Sequence, residues 1–189
     1  MLAIVLGLGL STSGLYASPA APKASAFTTP IPFTLTDTNG KPQTLAAQHG
    51  HLVVLFFFCG CNWCAAVGKQ WGQLQHQGAL TPAKGQAQPI TMVVYSGDVD
   101  SVRSFASDSG LDLKQTILLP DPTMKVTLEY QSDTCPRVFV IHPTGLIAYT
   151  NDHKDDQPRK APAEVIADLA LSSVRACSVS TAISSTSPK

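Results

Sequence analysis

Between residues 33 and 37 apolar Phe33 and Leu35 alternate with Thr34 and Thr36, and the run ends at Asn39-Gly40, turn residues that suit a tight hairpin. The pattern predicts a short β-hairpin whose second arm covers residues 42–45. A different pattern follows. LVVLFFF at 52–58 is apolar throughout, with no alternation, as in a strand covered on both faces. From residue 62 to 75 the apolar positions Trp63, Val67, Trp71 and Leu74 are spaced by 4, 4 and 3, which marks one face of a helix. The chain therefore predicts a central strand that passes through Cys59-Gly60-Cys61 directly into a helix.

A second strand and helix come next. Residues 90–95 are apolar, Asp98 can cap a helix running through Val99, Val102, Phe105 and Ala106, and Gly110 is a natural stop. Residues 116–119 predict a strand and 122–130 a short helix. Residues 137–141 and 146–150 predict a strand pair around Pro143-Thr144-Gly145, and 164–176 a closing helix. This order predicts an α/β unit with a central mixed sheet flanked by helices and an N-terminal β-hairpin. Its reactive point belongs at the carboxyl end of the central strand.

The two ends differ from the middle. Residues 1–22 carry no charged side chain, and their apolar start breaks at Ser11, Thr12, Ser13 and Gly14 before small residues at 17–21. They read as a secretion signal or a membrane anchor, although the apolar run falls short of the roughly 20 residues of a spanning helix. Residues 23–31 form a Pro/Ala-rich linker, 32–177 the folded domain, and 178–189 a polar, disordered tail. The predicted location is periplasmic or otherwise extracytoplasmic, free after cleavage or held at the membrane through residues 1–22. A length of 189 residues fits one domain, and 13 basic against 13 acidic residues leave no basic footprint for nucleic acid. With 44% apolar residues the chain is too apolar for disorder.

Candidate chemistry lies in the cysteines. Of five, Cys59, Cys61 and Cys64 fall within six residues. Such clustering points to thiol chemistry or a metal, because a structural framework spreads its bridges to close long loops. Cys61 stands where the helix begins, so unpaired backbone N–H groups and the helix dipole favour its thiolate. Cys64 is one turn on, in reach of a mixed disulfide formed at Cys61. This predicts Cys61 as nucleophile and Cys64 as resolving thiol. The alternatives are half a zinc site or an inert bridge, and no second C-x-x-C or H-x-x-x-H accompanies the first.

The stretch Phe56-Phe57-Phe58-Cys59-Gly60-Cys61-Asn62-Trp63-Cys64 sets the C-x-x-C pair five residues after its first Phe. LTDTNGKPQTL precedes it, and LLPDPTMKVTLEY and Cys135-Pro136-Arg137-Val138-Phe139-Val140-Ile141 follow, with Gly145 in the next turn. In these residues, over 33–170, the chain resembles the thioredoxin-like proteins of the redoxin, TlpA/ResA and AhpC/TSA group. The resemblance implies a thioredoxin fold and a thiol-disulfide oxidoreductase acting on protein or small-molecule disulfides and dithiols. It further implies exchange with an upstream redox partner, and neither cofactor nor metal. Pro136 would be the cis-proline of a loop facing the disulfide, with Trp63 and Cys135 also on the substrate side.

Several residues depart from that group. Leu55 stands where thioredoxins place a buried acid, so the usual proton acceptor for Cys64 is absent. Cys59 and Cys135 are additional thiols. With Pro136 placed as in the family, Cys135 approaches Cys61, where it could form an alternative disulfide, join Cys59 in a metal site, or simply pack as a small hydrophobe. No metal is predicted in the isolated protein, on the ground that no His or carboxylate supplies a fourth ligand. Peroxidase chemistry is the rival enzyme reading. Against it, Phe58 occupies the place of the peroxide-binding Thr, and only Arg137 is left to polarise the thiolate. A Sco-like metal module needs C-x-x-x-C and a later His, one residue more than the spacing here. Cys177 is assigned to the tail, His49, His51, His76 and His153 to surfaces or loops, and His142 to a position before the turn that is often Asp.

Overall fold

The computed structural model describes residues 29–82 and 85–151. The expectations for residues 1–22, for most of the linker, for the closing helix at 164–176 and for the tail, with His153 and Cys177, lie outside the described residues. Within them the order is β1 (Thr34–Thr36), β2 (Pro42–Thr44), a 3-10 turn (Ala46–Gln48), β3 (Val53–Phe58), α1 (Asn62–His76), β4 (Ile90–Tyr95) and α2 (Val99–Ser109). Then come β5 (Thr116–Pro120), α3 (Lys125–Glu129), β6 (Arg137–Ile141) and β7 (Ile147–Thr150).

β1 and β2 form the predicted hairpin. The Asp37 carboxylate accepts the backbone N–H groups of Asn39 and Lys41, and Gly40 turns at φ 81°. The remaining strands make one sheet in the order β5-β4-β3-β6-β7, with β4 parallel to both β3 and β5, β6 antiparallel to β3, and β7 antiparallel to β6. β3 lies at the centre, and all six of its residues are buried. Val54, Phe56 and Phe58 pack with Cys64 and Trp71 of α1 and with Val102, Phe105 and Ala106 of α2. Val53, Leu55 and Phe57 pack on the other face with Phe33, Val126 of α3 and Tyr130. Two covered faces explain why the run has no alternation. Each of the buried Val, Leu and Phe side chains contributes about 1.5–3 kcal/mol by leaving water.

α1 differs from its predicted stripe. Its buried residues are Cys64, Gly68, Trp71, Gly72 and Gln75, whereas Trp63 is 76% exposed. Trp63 sits in the first turn, beyond the end of β3, where no neighbouring element covers it. Gly68 and Gly72 let α1 lie close against α2: a Cβ at Gly72 would run into the backbone of Ser109 and Gly110. Buried Gln75 donates to Thr91 and Thr116 and accepts from the Asp112 N–H, and Trp71 also donates to Thr91, so the polar groups under α1 are paired. α2 begins and ends as predicted, with the Asp98 carboxylate accepting the Ser101 N–H at 2.8 Å and Gly110 left-handed at φ 63°. α3 is shorter than the predicted 122–130 segment. Met124 adopts φ 56°, which is not helical, so the helix starts only at Lys125. Both ends of the C-x-x-C junction are thus fixed, by the most buried strand below and by a helix clamped to its neighbour above.

Candidate active site

At the carboxyl end of β3 the chain leaves the sheet as Cys59, turns at Gly60 with φ 80°, and enters α1 at Cys61. Cys61 is the N-terminal cap, extended at φ −68° and ψ 167°, and its carbonyl accepts the Ala65 N–H at 2.9 Å. Side chains at positions 61 and 64 then lie one turn apart, and their sulfurs are 3.5 Å from one another.

The second pair of thiols comes from the β3–β6 ladder. Phe57 stands opposite Arg137. Continuing the same antiparallel register by two residues puts Cys59 opposite Cys135. Their Cα atoms are 6.4 Å apart and their sulfurs are bonded. Cys61 and Cys64 are free thiols. Cys61 Sγ also lies 3.8 Å from Cys135 Sγ, and Cys59 Sγ lies 3.8 Å from Cys64 Sγ. So Cys135 is beside Cys61 but joined to Cys59. The pairing follows from strand register, which spacing along the chain does not display. The Cys135–Pro136 peptide bond is cis.

The two free thiols sit in different electrostatic surroundings. Cys64 is fully buried, Cys61 and Cys135 half-buried, and Cys59 exposed. The backbone N–H of Cys64 favours the Cys61 thiolate, against the cost of burial, and the Cys64 side chain and Trp63 N–H add to it, so its pKa is lowered. Burial, with the neighbouring Cys61 adding to it, pushes the Cys64 thiol the other way, up to about 11. Between the two sulfurs a single proton therefore belongs to Cys64. The groups acting on Cys64 are Cys59, Cys61 and Gly60, none of them a carboxylate. Leu55, at the position of the missing acid, is buried on the opposite face of the sheet.

Other predicted residues fall as follows. Phe58 is buried, stacked on Phe56 with centroids 5.0 Å apart, and offers no hydroxyl near Cys61. Arg137 is buried with its guanidinium 5.5 Å from the Phe139 ring, whose side chain packs on the α3 face and not on the face that holds Cys64. His49 and His76 are exposed. Tyr95 was not anticipated. It ends β4 directly beside Phe58, packs against Phe105, and its hydroxyl occupies the space a Cβ at Gly60 would need. Burial raises its pKa, and the charge of Cys64 adds to this. Its position at the carboxyl end of the parallel neighbour of β3 was the available signal. A cleft of about 630 Å³ lies beside this turn, lined by Gly60, Tyr95, Ala65, Lys69, Ser104 and Asp108.

The four sulfurs of Cys59, Cys61, Cys64 and Cys135 all lie within 4.8 Å of one another. Reduced, they would form a complete soft-ligand set. With four thiols together, no His or carboxylate is needed as a fourth ligand, contrary to the expectation from the sequence. What takes two of the four out of play is the Cys59–Cys135 bond.

Comparison with known proteins agrees with this architecture. A secreted Mycobacterium tuberculosis disulfide oxidoreductase homologous to E. coli DsbE aligns with TM-score 0.53 and 18% identity, over 74% of this chain and 95% of that one. A putative thiol:disulfide interchange protein DsbE from Chlorobium tepidum aligns with TM-score 0.56 and 16% identity, over 80% and 98%. BsSco, a member of the Sco family of cytochrome c oxidase assembly proteins, aligns with TM-score 0.57 and 12% identity, over 79% and 95%. No curated protein sequence matches. Likeness at these identities shows a thioredoxin-like fold. The sequence profile of the AhpC/TSA family matches residues 27–150, a span that runs from the N-terminal hairpin through the C-x-x-C junction to β7, and the chain belongs to that family.

Proposed function

We propose that the protein is a thiol-disulfide oxidoreductase in which Cys61 is the nucleophile and Cys64 the resolving thiol. The observation that carries this is the asymmetry of the pair: a half-buried thiol at a helix start with a lowered pKa, 3.5 Å from a fully buried thiol whose pKa is raised. The Cys61 thiolate attacks a substrate disulfide, forming a mixed disulfide and releasing one substrate thiol. Cys64 then attacks the Cys61 sulfur, releasing the second substrate thiol and closing the Cys61–Cys64 bridge. Run backwards, the same steps oxidise a dithiol. We assign exposed Trp63, two residues after Cys61, and Pro136, which follows Cys135, to the substrate side together with Cys135, which is 3.8 Å from Cys61.

The partners are protein or small-molecule disulfides and dithiols, with an upstream redox partner to reset the pair. We place the domain, residues 32–177, outside the cytoplasm. A standing Cys59–Cys135 disulfide suits an oxidising compartment, and the M. tuberculosis relative is secreted. No described helix is long and apolar enough to cross a membrane, and we assign any membrane anchoring to residues 1–22.

The test is a pair of variants. Cys61→Ser abolishes reduction of a model protein disulfide, and Cys64→Ser accumulates a mixed disulfide with it. The opposite assignment of phenotypes overturns the roles. Family membership makes peroxide the rival oxidant. Saturable turnover of hydrogen peroxide that depends on Cys61 and not on Cys64 favours peroxidase chemistry instead.

A further inference from the structure

Cys64 must lose a proton before it can attack, and among the described residues no carboxylate acts on it. The same site holds a second disulfide whose sulfurs touch both members of the C-x-x-C pair. These two facts answer one another. We propose that Cys59–Cys135 is a resident redox partner of the Cys61/Cys64 pair, exchanging electrons with it inside one chain, and that the Cys59 thiolate released in the exchange is the base for Cys64. This rests on the C-x-x-C reading above and deepens it: the protein holds two electron pairs and can pass one of them between its two bridges.

The exchange balances without an outside reagent. Cys61 Sγ, 3.8 Å from Cys135 Sγ, attacks that sulfur; the Cys61–Cys135 bond forms, the Cys59–Cys135 bond breaks, and Cys59 leaves as a thiolate. Cys59 Sγ is 3.8 Å from Cys64 Sγ, so the new thiolate is in contact with the thiol whose proton must go. It takes that proton. Cys64 Sγ, 3.5 Å from Cys61 Sγ, then attacks Cys61; the Cys61–Cys64 bond forms and Cys135 leaves as a thiolate, protonated from solvent. Cys61 and Cys64 are oxidised by two electrons and Cys59 and Cys135 are reduced by two. The lowered pKa of Cys61 favours it over Cys64 as the attacking group, and the raised pKa of Cys64 explains why it needs a base. Buried Cys64 keeps the first bridge reachable only through Cys61.

The path is the same in either direction, so it can be followed from the reduced side in the unaltered protein. Fully reduced protein receives one equivalent of oxidised glutathione, samples are quenched in acid at increasing times, and bridges are mapped by alkylation and mass spectrometry. The Cys61–Cys64 bridge forms first. It passes to Cys59–Cys135 in a single exponential whose rate is unchanged when the protein is diluted tenfold, and Cys135→Ser holds the bridge at Cys61–Cys64. A Cys61–Cys64 bridge that forms but never passes to Cys59–Cys135, or passes tenfold more slowly on tenfold dilution, overturns the relay and leaves the C-x-x-C reading intact. If glutathione produces no Cys61–Cys64 bridge at all, the C-x-x-C reading falls and the relay with it.

Discussion

Replacing Gly60 by Ala strikes the turn between Cys59 and Cys61 in two separable ways. Gly60 has φ 80°, and placing an L side chain there costs about 1–2 kcal/mol. The added Cβ also runs into the Tyr95 hydroxyl, while the next atom of that ring, Cζ, is 3.3 Å away. Tyr95 cannot readily step aside, because its ring lies tilted against Phe105 at 5.3 Å and already fills the space beside Gly97. Overpacking of this kind costs roughly 1–3 kcal/mol, so Gly60→Ala loses about 2–5 kcal/mol in all. With a urea dependence of about 1–3 kcal/mol per M, a loss of 3 kcal/mol moves the unfolding midpoint by about 1–3 M. The clash is with the hydroxyl, so Tyr95→Phe in the Gly60→Ala background recovers the overpacking part, about 1–3 kcal/mol, and leaves the backbone part. Equilibrium urea unfolding of the two single variants and the double variant measures the coupling. If Gly60→Ala is within about 0.5 kcal/mol of the unaltered protein, or Tyr95→Phe recovers nothing, the described contact between this turn and Tyr95 is wrong.

The rate of alkylation at Cys61 rises with pH to a plateau whose midpoint lies below the ordinary thiol value of about 8.5, whereas Cys64 stays unreactive until near pH 11; mass-mapped alkylation reads both. Cys64 also makes stability depend on pH. Its folded pKa is raised to about 11, so above about pH 8.5 the unfolded chain has lost a proton that the folded chain keeps, and stability falls as pH rises, by up to about 1.4 kcal/mol per unit. Tyr95 and Tyr130, also raised, add the same sign only above about pH 10, so a loss between about pH 9 and 10 that disappears in Cys64→Ala isolates the thiol. Gln75→Ala leaves two buried hydroxyls and the Asp112 N–H without their shared partner and costs about 2–3 kcal/mol in thermal or urea unfolding. Trp63→Ala, at a 76% exposed position, shifts stability by no more than about 0.5 kcal/mol but slows reduction of a protein disulfide more than that of a small one.

What could be read from the chain was what local pattern encodes. LVVLFFF has no alternation because Val54, Phe56 and Phe58 face one helical layer and Val53, Leu55 and Phe57 the other, and Asp98 and Gly110 mark the ends of α2 by their own backbone chemistry. The C-x-x-C pair was legible for the same reason, since three residues along a helix bring two sulfurs together. Features set by distant segments were not. The Cys59–Cys135 bond depends on the register of β6 against β3, and the role of Tyr95 on the parallel pairing of β4. Trp63 shows the limit of periodicity: it falls on the apolar spacing of α1 but lies past the end of the sheet that the stripe was expected to cover. Met124 at φ 56° shortened α3 against a sequence that carries no glycine there.

The proposed action of Cys61 and Cys64 as one two-electron redox pair is tested most directly in protein equilibrated across a series of glutathione buffers, quenched in acid, alkylated and mapped by mass. The account predicts that Cys61 and Cys64 lose alkylation together, in one step that follows a two-electron dependence on the poise, about 30 mV for each tenfold change in their ratio. Alkylation lost at Cys61 while Cys64 remains fully labelled at every potential, or retained at both while the protein turns over its disulfide substrate, contradicts it.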